Sequence, residues 1–162
     1  MEPGKTLREV RAYYFTGIGH VQGASIIHER LLQLGVGSTD ASWVALQHIL
    51  GFATEAALKA YLASSGVKRR ALRAFGHNLS DLYAEALRAD LEDAGKEVGQ
   101  PELASALGRF VELCGEDYTS YNYRYLERAS HSVLHSGTAT RTVIRAIFCI
   151  LEIVDRRSTF SE

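Results

Sequence analysis

The chain has 162 residues, which fits a single domain able to bury a sizeable core without disulfides or a structural metal. Its formal net charge of -1 excludes a general electrostatic attraction to nucleic acid, so any such binding requires a local basic patch. Two cysteines that form no ligand cluster exclude a disulfide framework, and the low proline content favours helix over the whole chain.

The N-terminal part predicts two helices. Apolar residues recur at helical spacing from Lys5 to Phe15, and the same pattern resumes from Val21 to Leu34. The triplet Gly17-Ile18-Gly19 interrupts the pattern, and we interpret it as a hinge because glycine is unfavourable inside a helix. The pattern also allows one continuous helix through this triplet.

The next stretch predicts the helix around which the others pack. It is apolar around its whole circumference, which is typical of the central helix of a bundle. Thr39, Asp40 or Ser42 can cap its N-terminus. Glu55 and Lys59 have the spacing of an i,i+4 ion pair, which predicts a solvent-exposed pair. The alternative is that Glu55 lines a groove.

A basic segment follows a Ser-Ser-Gly break. It holds the densest group of cations in the sequence: Lys68, Arg69, Arg70 and Arg73. Such a group is either a solvated turn or a surface that contacts phosphates. His77 comes directly after it, and we expect its side chain to orient the turn at Gly76 or to contact a ligand.

Two further helices are predicted beyond this segment. The first runs from Asn78 to Leu91, with Asn78 as its N-cap. The second begins at Pro101 and ends at Gly115. The residues from Tyr118 to Tyr125 include four tyrosines, which suit packing of a loop against the bundle, an interface or a surface for stacking nucleobases.

The last predicted helix extends from Gly137 to Arg157. Its apolar face is broadened by Ile144, Phe148 and Ile153 beyond the stripe that one neighbouring helix requires. A helix that buries more than one side needs a second partner, so we expect a homodimer formed through this C-terminal helix.

Three segments of the chain resemble the HEPN family of helical domains: residues 55–62 (EAALKAYL), residues 76–79 (GHNL) and residues 123–125 (YRY). The resemblance covers roughly half of the chain. Asn78 stands where the family usually has Asp. Leu126 follows Arg124-Tyr125, where the family usually has Pro. The resemblance implies a compact, commonly dimeric helical bundle that binds RNA or a nucleotide. Many prokaryotic members are metal-independent endoribonucleases of toxin-antitoxin or anti-phage systems.

The ribonucleases of this family use an arginine and a histidine separated by four to six residues. The histidine exchanges a proton with the ribose 2'-hydroxyl, and the arginine stabilises the phosphate charge. Three pairs have a suitable spacing: Arg70/His77, Arg124/His131 and Arg128/His135. The last two precede the final helix, where the family places its catalytic pair, and Arg128/His135 is favoured because it is nearer that helix. His131 and His135 lack a third ligand, so no metal site is predicted.

These observations predict one all-α domain over residues 1–162, an up-and-down bundle of five to seven helices that resembles HEPN. Its expected function is to bind RNA or a nucleotide in a toxin-antitoxin, stress or phage-defence context. The predicted binding residues are Lys68, Arg69, Arg70, Arg73, His77 and Tyr123. The alternatives are a metal-independent endoribonuclease and a protein-interaction module without catalysis.

The expected partners are a second copy of the chain and a cognate antitoxin or a nucleotidyltransferase-like protein. The sequence has no signal peptide, no lipidation motif and no apolar run long enough to cross a membrane. We therefore expect a cytoplasmic protein that makes no membrane contact. No cofactor is expected.

Overall fold

The computed structural model describes residues 3–37, 40–120 and 137–158, with side chains from residue 7 onward. The described residues form seven α-helices and no strand. The helices are α1 (Pro3–Gln33), α2 (Ala41–Ser64), α3 (Arg69–Ala74), α4 (Leu79–Arg88), α5 (Leu91–Glu97), α6 (Leu103–Thr119) and α7 (Gly137–Ser158). The predicted all-α bundle is confirmed.

Helix α2 is the centre of the bundle, as its apolar circumference predicts. It packs against α1, α3, α4, α6 and α7. From Ala53 to Ala63 every residue of this helix is buried, because neighbouring helices cover it on all sides. The side chain of Asp40 accepts a hydrogen bond from the Ser42 backbone N–H at 2.8 Å, so Asp40 is the N-cap among the three candidates.

The predicted hinge in the N-terminal part is wrong, because α1 runs without a break through Gly17-Ile18-Gly19. Buried apolar residues on both sides of this triplet, such as Val10 and Val21, stabilise the helix. Gly17 instead allows a close approach between helices. A Cβ atom there would lie 3.0 Å from Leu151 in α7 and 3.5 Å from the backbone of Ala57 in α2.

Two predicted helix ends, those of α4 and α6, also differ from the structure. The helix predicted from Asn78 to Leu91 ends at Arg88, because Asp90 takes a left-handed conformation with φ of 86° and α5 begins after it. A tertiary contact favours this break, since the buried Tyr61 hydroxyl donates a hydrogen bond to the Asp90 carboxylate. Asn78 is the N-cap of α4, as predicted, and its side chain accepts a hydrogen bond from the Asp81 backbone N–H.

Helix α6 continues one turn past Gly115, where the sequence predicts its end. Gly115 lies against α4, and a Cβ atom there would be 3.8 Å from the Cβ of Leu79. The extra turn places Tyr118 in the core, where it is 2% exposed, and not in a loop.

Helix α7 has the broad apolar face that the sequence predicts, but the chain itself covers it. Ile144 is 5% exposed and Ile153 is 4% exposed, because α7 contacts α1, α2, α5 and α6. The width of this face is therefore explained by packing within one chain. Its half-buried apolar residues are Ala139, Phe148 and Cys149.

Gly51 of α2 packs directly against the Tyr118 ring of α6 and generates a first prediction. A Cβ atom at this position would overlap the Tyr118 ring. We expect Gly51→Ala to lower the free energy of unfolding by up to about 2 kcal/mol, since an overpacking cost of about 1–3 kcal/mol outweighs the gain of about 1 kcal/mol in helix propensity. Urea denaturation measures this change, and a more stable variant would contradict the packing described here.

Candidate functional site

A buried ion pair lies in the second half of α2. Lys59 Nζ donates a hydrogen bond to Glu55 Oε1 at 2.7 Å, which confirms the predicted i,i+4 pair. The prediction that the pair is solvent-exposed is wrong, because each residue is only 8% exposed. The neighbouring helices that cover α2 enclose this turn as well. The pair therefore belongs to the core.

Glu55 also collects partners from two other parts of the fold. Its Oε2 atom lies 2.8 Å from Nδ1 of His77, in the turn between α3 and α4. The Tyr118 hydroxyl, from α6, donates to the same oxygen at 2.5 Å. Lys59 Nζ donates a second hydrogen bond, at 2.6 Å, to the carbonyl oxygen of Gly76. We call Glu55, Lys59, His77 and Tyr118 the Glu55 cluster.

These contacts keep Glu55 ionised. Burial raises the pKa of Glu55, but hydrogen bonds from Lys59, Tyr118 and His77, together with the Lys59 charge, outweigh it and hold the pKa below its usual value. An ionised carboxylate accepts hydrogen bonds only, so it favours the state in which His77 carries a proton on Nδ1. Glu55 thereby fixes the orientation of an imidazole whose side chain is 42% exposed.

The predicted basic group forms an exposed surface next to this cluster. Lys68 is the N-cap of α3, and the helix is anchored in the core by Leu72. We call the exposed cations of this segment the basic turn: Lys68, Arg69, Arg70 and Arg73. Of these four cations, only Arg69 forms an ion pair with a described residue, Glu9, at 3.5 Å.

The Glu55 cluster holds the end of the basic turn in place. Gly76 adopts φ of 56°, and its carbonyl group is bound by Lys59. The Thr119 hydroxyl donates to the carbonyl oxygen of His77 at 3.1 Å. The N-terminus of α4 already has a negative group, since the Asp81 carboxylate accepts a hydrogen bond from Asn78 at 2.7 Å. Asp81 therefore compensates the positive end of α4, and the exposed positive charge of this region belongs to the basic turn.

The structure covers only part of the predicted site. Lys68, Arg69, Arg70, Arg73 and His77 lie along one short segment of the described chain. The remaining predicted site residues lie outside the described residues: Tyr123, Arg124, Arg128, His131 and His135. Of the three Arg/His pairs, Arg70/His77 is the pair that the structure describes, and both of its side chains reach the surface.

Two residues of the site were missed from the sequence. The sequence predicts that Lys59 is solvent-exposed, although a charged pair inside a helix that is otherwise apolar all round is a signal of a buried contact. The sequence predicts a loop at Tyr118 because Gly115 precedes it, and no local pattern marks Tyr118 as a partner of Glu55.

Within the described ranges, no group of three or more His, Cys, Asp or Glu side chains could hold a metal ion. No helix in the part of the chain that the structure describes has the length and apolar character to span a membrane. Comparison of the chain with protein-family models, with curated proteins and with solved structures finds no match.

The buried position of Glu55 generates a second prediction. We expect Glu55→Gln to lower the free energy of unfolding at neutral pH by about 3 kcal/mol, because it leaves the Lys59 charge buried without its counter-ion. The matched control is Glu152→Gln, which removes one partner of an exposed i,i+4 pair with Arg156. That change should cost less than about 1 kcal/mol.

The same variant also tests the pH dependence. Because the folded pKa of Glu55 lies below its value in the unfolded chain, its stabilisation is complete above the ordinary glutamate pKa of about 4.3 and is lost as the pH falls through the folded pKa. Urea denaturation between about pH 3 and pH 7 should show the difference between wild type and Glu55→Gln narrowing in acid. A difference that is constant with pH would contradict an ionised Glu55.

Proposed function

We propose that the chain is an HEPN-like helical domain that binds RNA or a nucleotide through the basic turn and His77. One observation carries the proposal: Lys68, Arg70 and Arg73 are exposed and have no ion pair among the described residues. At a net charge of -1, this local patch supplies the attraction for phosphate that the whole chain does not.

The support of the turn by the core strengthens this proposal. A binding surface loses less free energy on ordering when it is already held in one conformation. The Lys59 and Thr119 hydrogen bonds to the carbonyl groups of Gly76 and His77 provide such support. In this proposal the basic turn contacts phosphates, His77 contacts the ligand beside them, and Tyr123 stacks on a base.

A second candidate function is metal-independent cleavage of RNA. It is favoured by the contact between Glu55 and His77, since a carboxylate that orients an imidazole is a common arrangement for proton transfer near neutral pH. Arg70 would steady the phosphate for His77. The pairs Arg128/His135 and Arg124/His131, which are nearer the position of the family's catalytic pair, would act in the same way.

The biological setting proposed here follows from the HEPN resemblance. It is a toxin-antitoxin, stress or phage-defence system in which the chain forms a homodimer. The further partner would be a cognate antitoxin or a nucleotidyltransferase-like protein. A chain that neither binds nor cleaves RNA would act as a protein-interaction module in the same setting.

RNA binding is tested by its salt dependence. We expect the affinity for a single-stranded oligouridylate to fall as the salt concentration rises. In Arg70→Gln/Arg73→Gln, the slope of log affinity against log salt should be smaller by about 1.4, since each lost phosphate contact removes about 0.7. Fluorescence anisotropy measures both slopes.

The control for this test is Arg109→Gln/Arg145→Gln, which removes two exposed arginines from α6 and α7 and changes the net charge equally. This variant should keep the wild-type slope. Equal slopes for all three proteins would assign the basic turn to solubility alone.

Cleavage is tested with purified protein and RNA in the presence of a chelator. We expect products with 2',3'-cyclic phosphate ends and loss of cleavage in one histidine variant. Loss in His77→Ala assigns the reaction to Arg70/His77, whereas loss in His135→Ala or His131→Ala assigns it to the corresponding later pair. Intact RNA from about pH 5 to pH 9 would remove the enzymatic alternative.

A further inference from the structure

Helix α1 has an outward face that differs from an ordinary surface helix. From Ala12 to His28 the sequence contains no Asp, Glu, Lys or Arg, a length of about 24 Å of helix. Surface helices usually carry charged residues on the side away from the core. Here that side exposes large apolar groups instead, since Phe15 is 55% exposed and Ile26 is 69% exposed.

Between Phe15 and Ile26, α1 has glycines at positions where most helices carry side chains. Gly19 is exposed, and a Cβ atom at Gly19 or Gly23 would meet no other atom within 4 Å. The result is a shallow groove lined by Phe15, Thr16, Gly19, His20, Gly23 and Ile49. Small residues of this kind let the backbone of a second helix approach closely.

We propose that α1 of a second copy of this chain occupies the groove, antiparallel to the first, with the twofold axis at Gly19. Residues at equal distances before and after Gly19 then face each other. Phe15 and Gly23 lie four residues on either side, and Ala12 and Ile26 lie seven on either side, all near one helical face. Each large side chain therefore meets a small residue, as a twofold interface requires.

We call the outward face of α1 from Ala12 to His28, which has no charged residue, the stripe. Charges at its two ends support the antiparallel direction of the two helices. Arg11 and Glu29 are eighteen residues apart, which is five helical turns, so they lie on the same edge. In an antiparallel pair Arg11 lies close to the partner's Glu29, and the contact occurs twice. In a parallel pair each charge would face its own copy. Arg8 and the partner's Arg30, each about 16 Å along the axis from Gly19, also face each other, and this like-charge contact opposes the attraction between Arg11 and Glu29.

This inference rests on the homodimer of the proposed function and assigns its surface to α1. The sequence predicts α7 as that surface, but Ile144 and Ile153 of α7 are already buried within the chain. Phe15 and Ile26 of α1 are two of the most exposed large apolar side chains among the described residues, and both lie on this outward face.

The central test is Gly19→Glu, followed by light scattering and sedimentation of the full chain at micromolar concentration. The single copy has space at this position, and glutamate is a better helix former than glycine, so the variant should fold. Two carboxylates brought together at the twofold axis should raise the dimer dissociation constant at least roughly a hundredfold. Gln33→Glu adds the same charge to an exposed position of α1 outside the stripe and should leave the dimer intact.

A charge exchange tests the direction of the pair. Arg11→Glu and Glu29→Arg should each weaken the dimer roughly tenfold, and the combined variant should restore it. Restoration supports the antiparallel arrangement, and no restoration overturns it. If the wild type is a dimer and Gly19→Glu is also a dimer, the assignment of the interface to α1 is wrong, although the homodimer itself stands. A wild-type monomer overturns the homodimer as well and makes a different protein the occupant of the stripe.

Discussion

The fold depends on how a carboxylate is accommodated inside its central helix. A charged group in an apolar interior costs several kcal/mol unless it is paired and hydrogen-bonded. Glu55 meets this requirement with Lys59 from its own helix, His77 from the turn before α4 and Tyr118 from the last turn of α6. The turn before α4 and the last turn of α6 must therefore be packed in the correct positions beside α2 when Glu55 is buried. A buried ion pair is weak evidence for added stability, because replacing both partners with apolar residues is often neutral.

The same contact links the core to the surface. Lys59 binds the Gly76 carbonyl oxygen, and Glu55 binds the ring of His77, so the segment that carries the basic turn is attached to the centre of the bundle. The exposed cations thus stand on a supported turn, although α3 itself contributes only Leu72 to the core. This is a suitable base for recognition of a phosphate, because the cost of ordering the surface has already been met in folding.

The distribution of apolar surface between α1 and α7 shows why helix amphipathicity does not by itself identify an interface. Helix α7 has the wider apolar face, yet it lies among four other helices of the same chain and buries that face completely except at its edge. Helix α1 has a weaker pattern because glycines interrupt it, but its outer side exposes Phe15 and Ile26. The number of neighbours around a helix decides which apolar groups remain for a partner.

The sequence by itself determined the features that depend on local periodicity and capping. These are the all-α class, the central position of α2, the caps Asp40 and Asn78, and the extent of α7. Tertiary structure decided whether each glycine interrupts a helix: α1 continues through Gly17, where a Cβ atom would crowd Leu151 of α7, and α6 continues through Gly115.

Tertiary structure also decided the break at Asp90 and the composition of the Glu55 cluster. The partners of Glu55 are 22 and 63 residues away in sequence. The i,i+4 spacing predicts a contact with Lys59, since that contact lies within one helix. No local pattern can predict contacts with His77 and Tyr118, because they exist only once α4 and α6 have packed against α2.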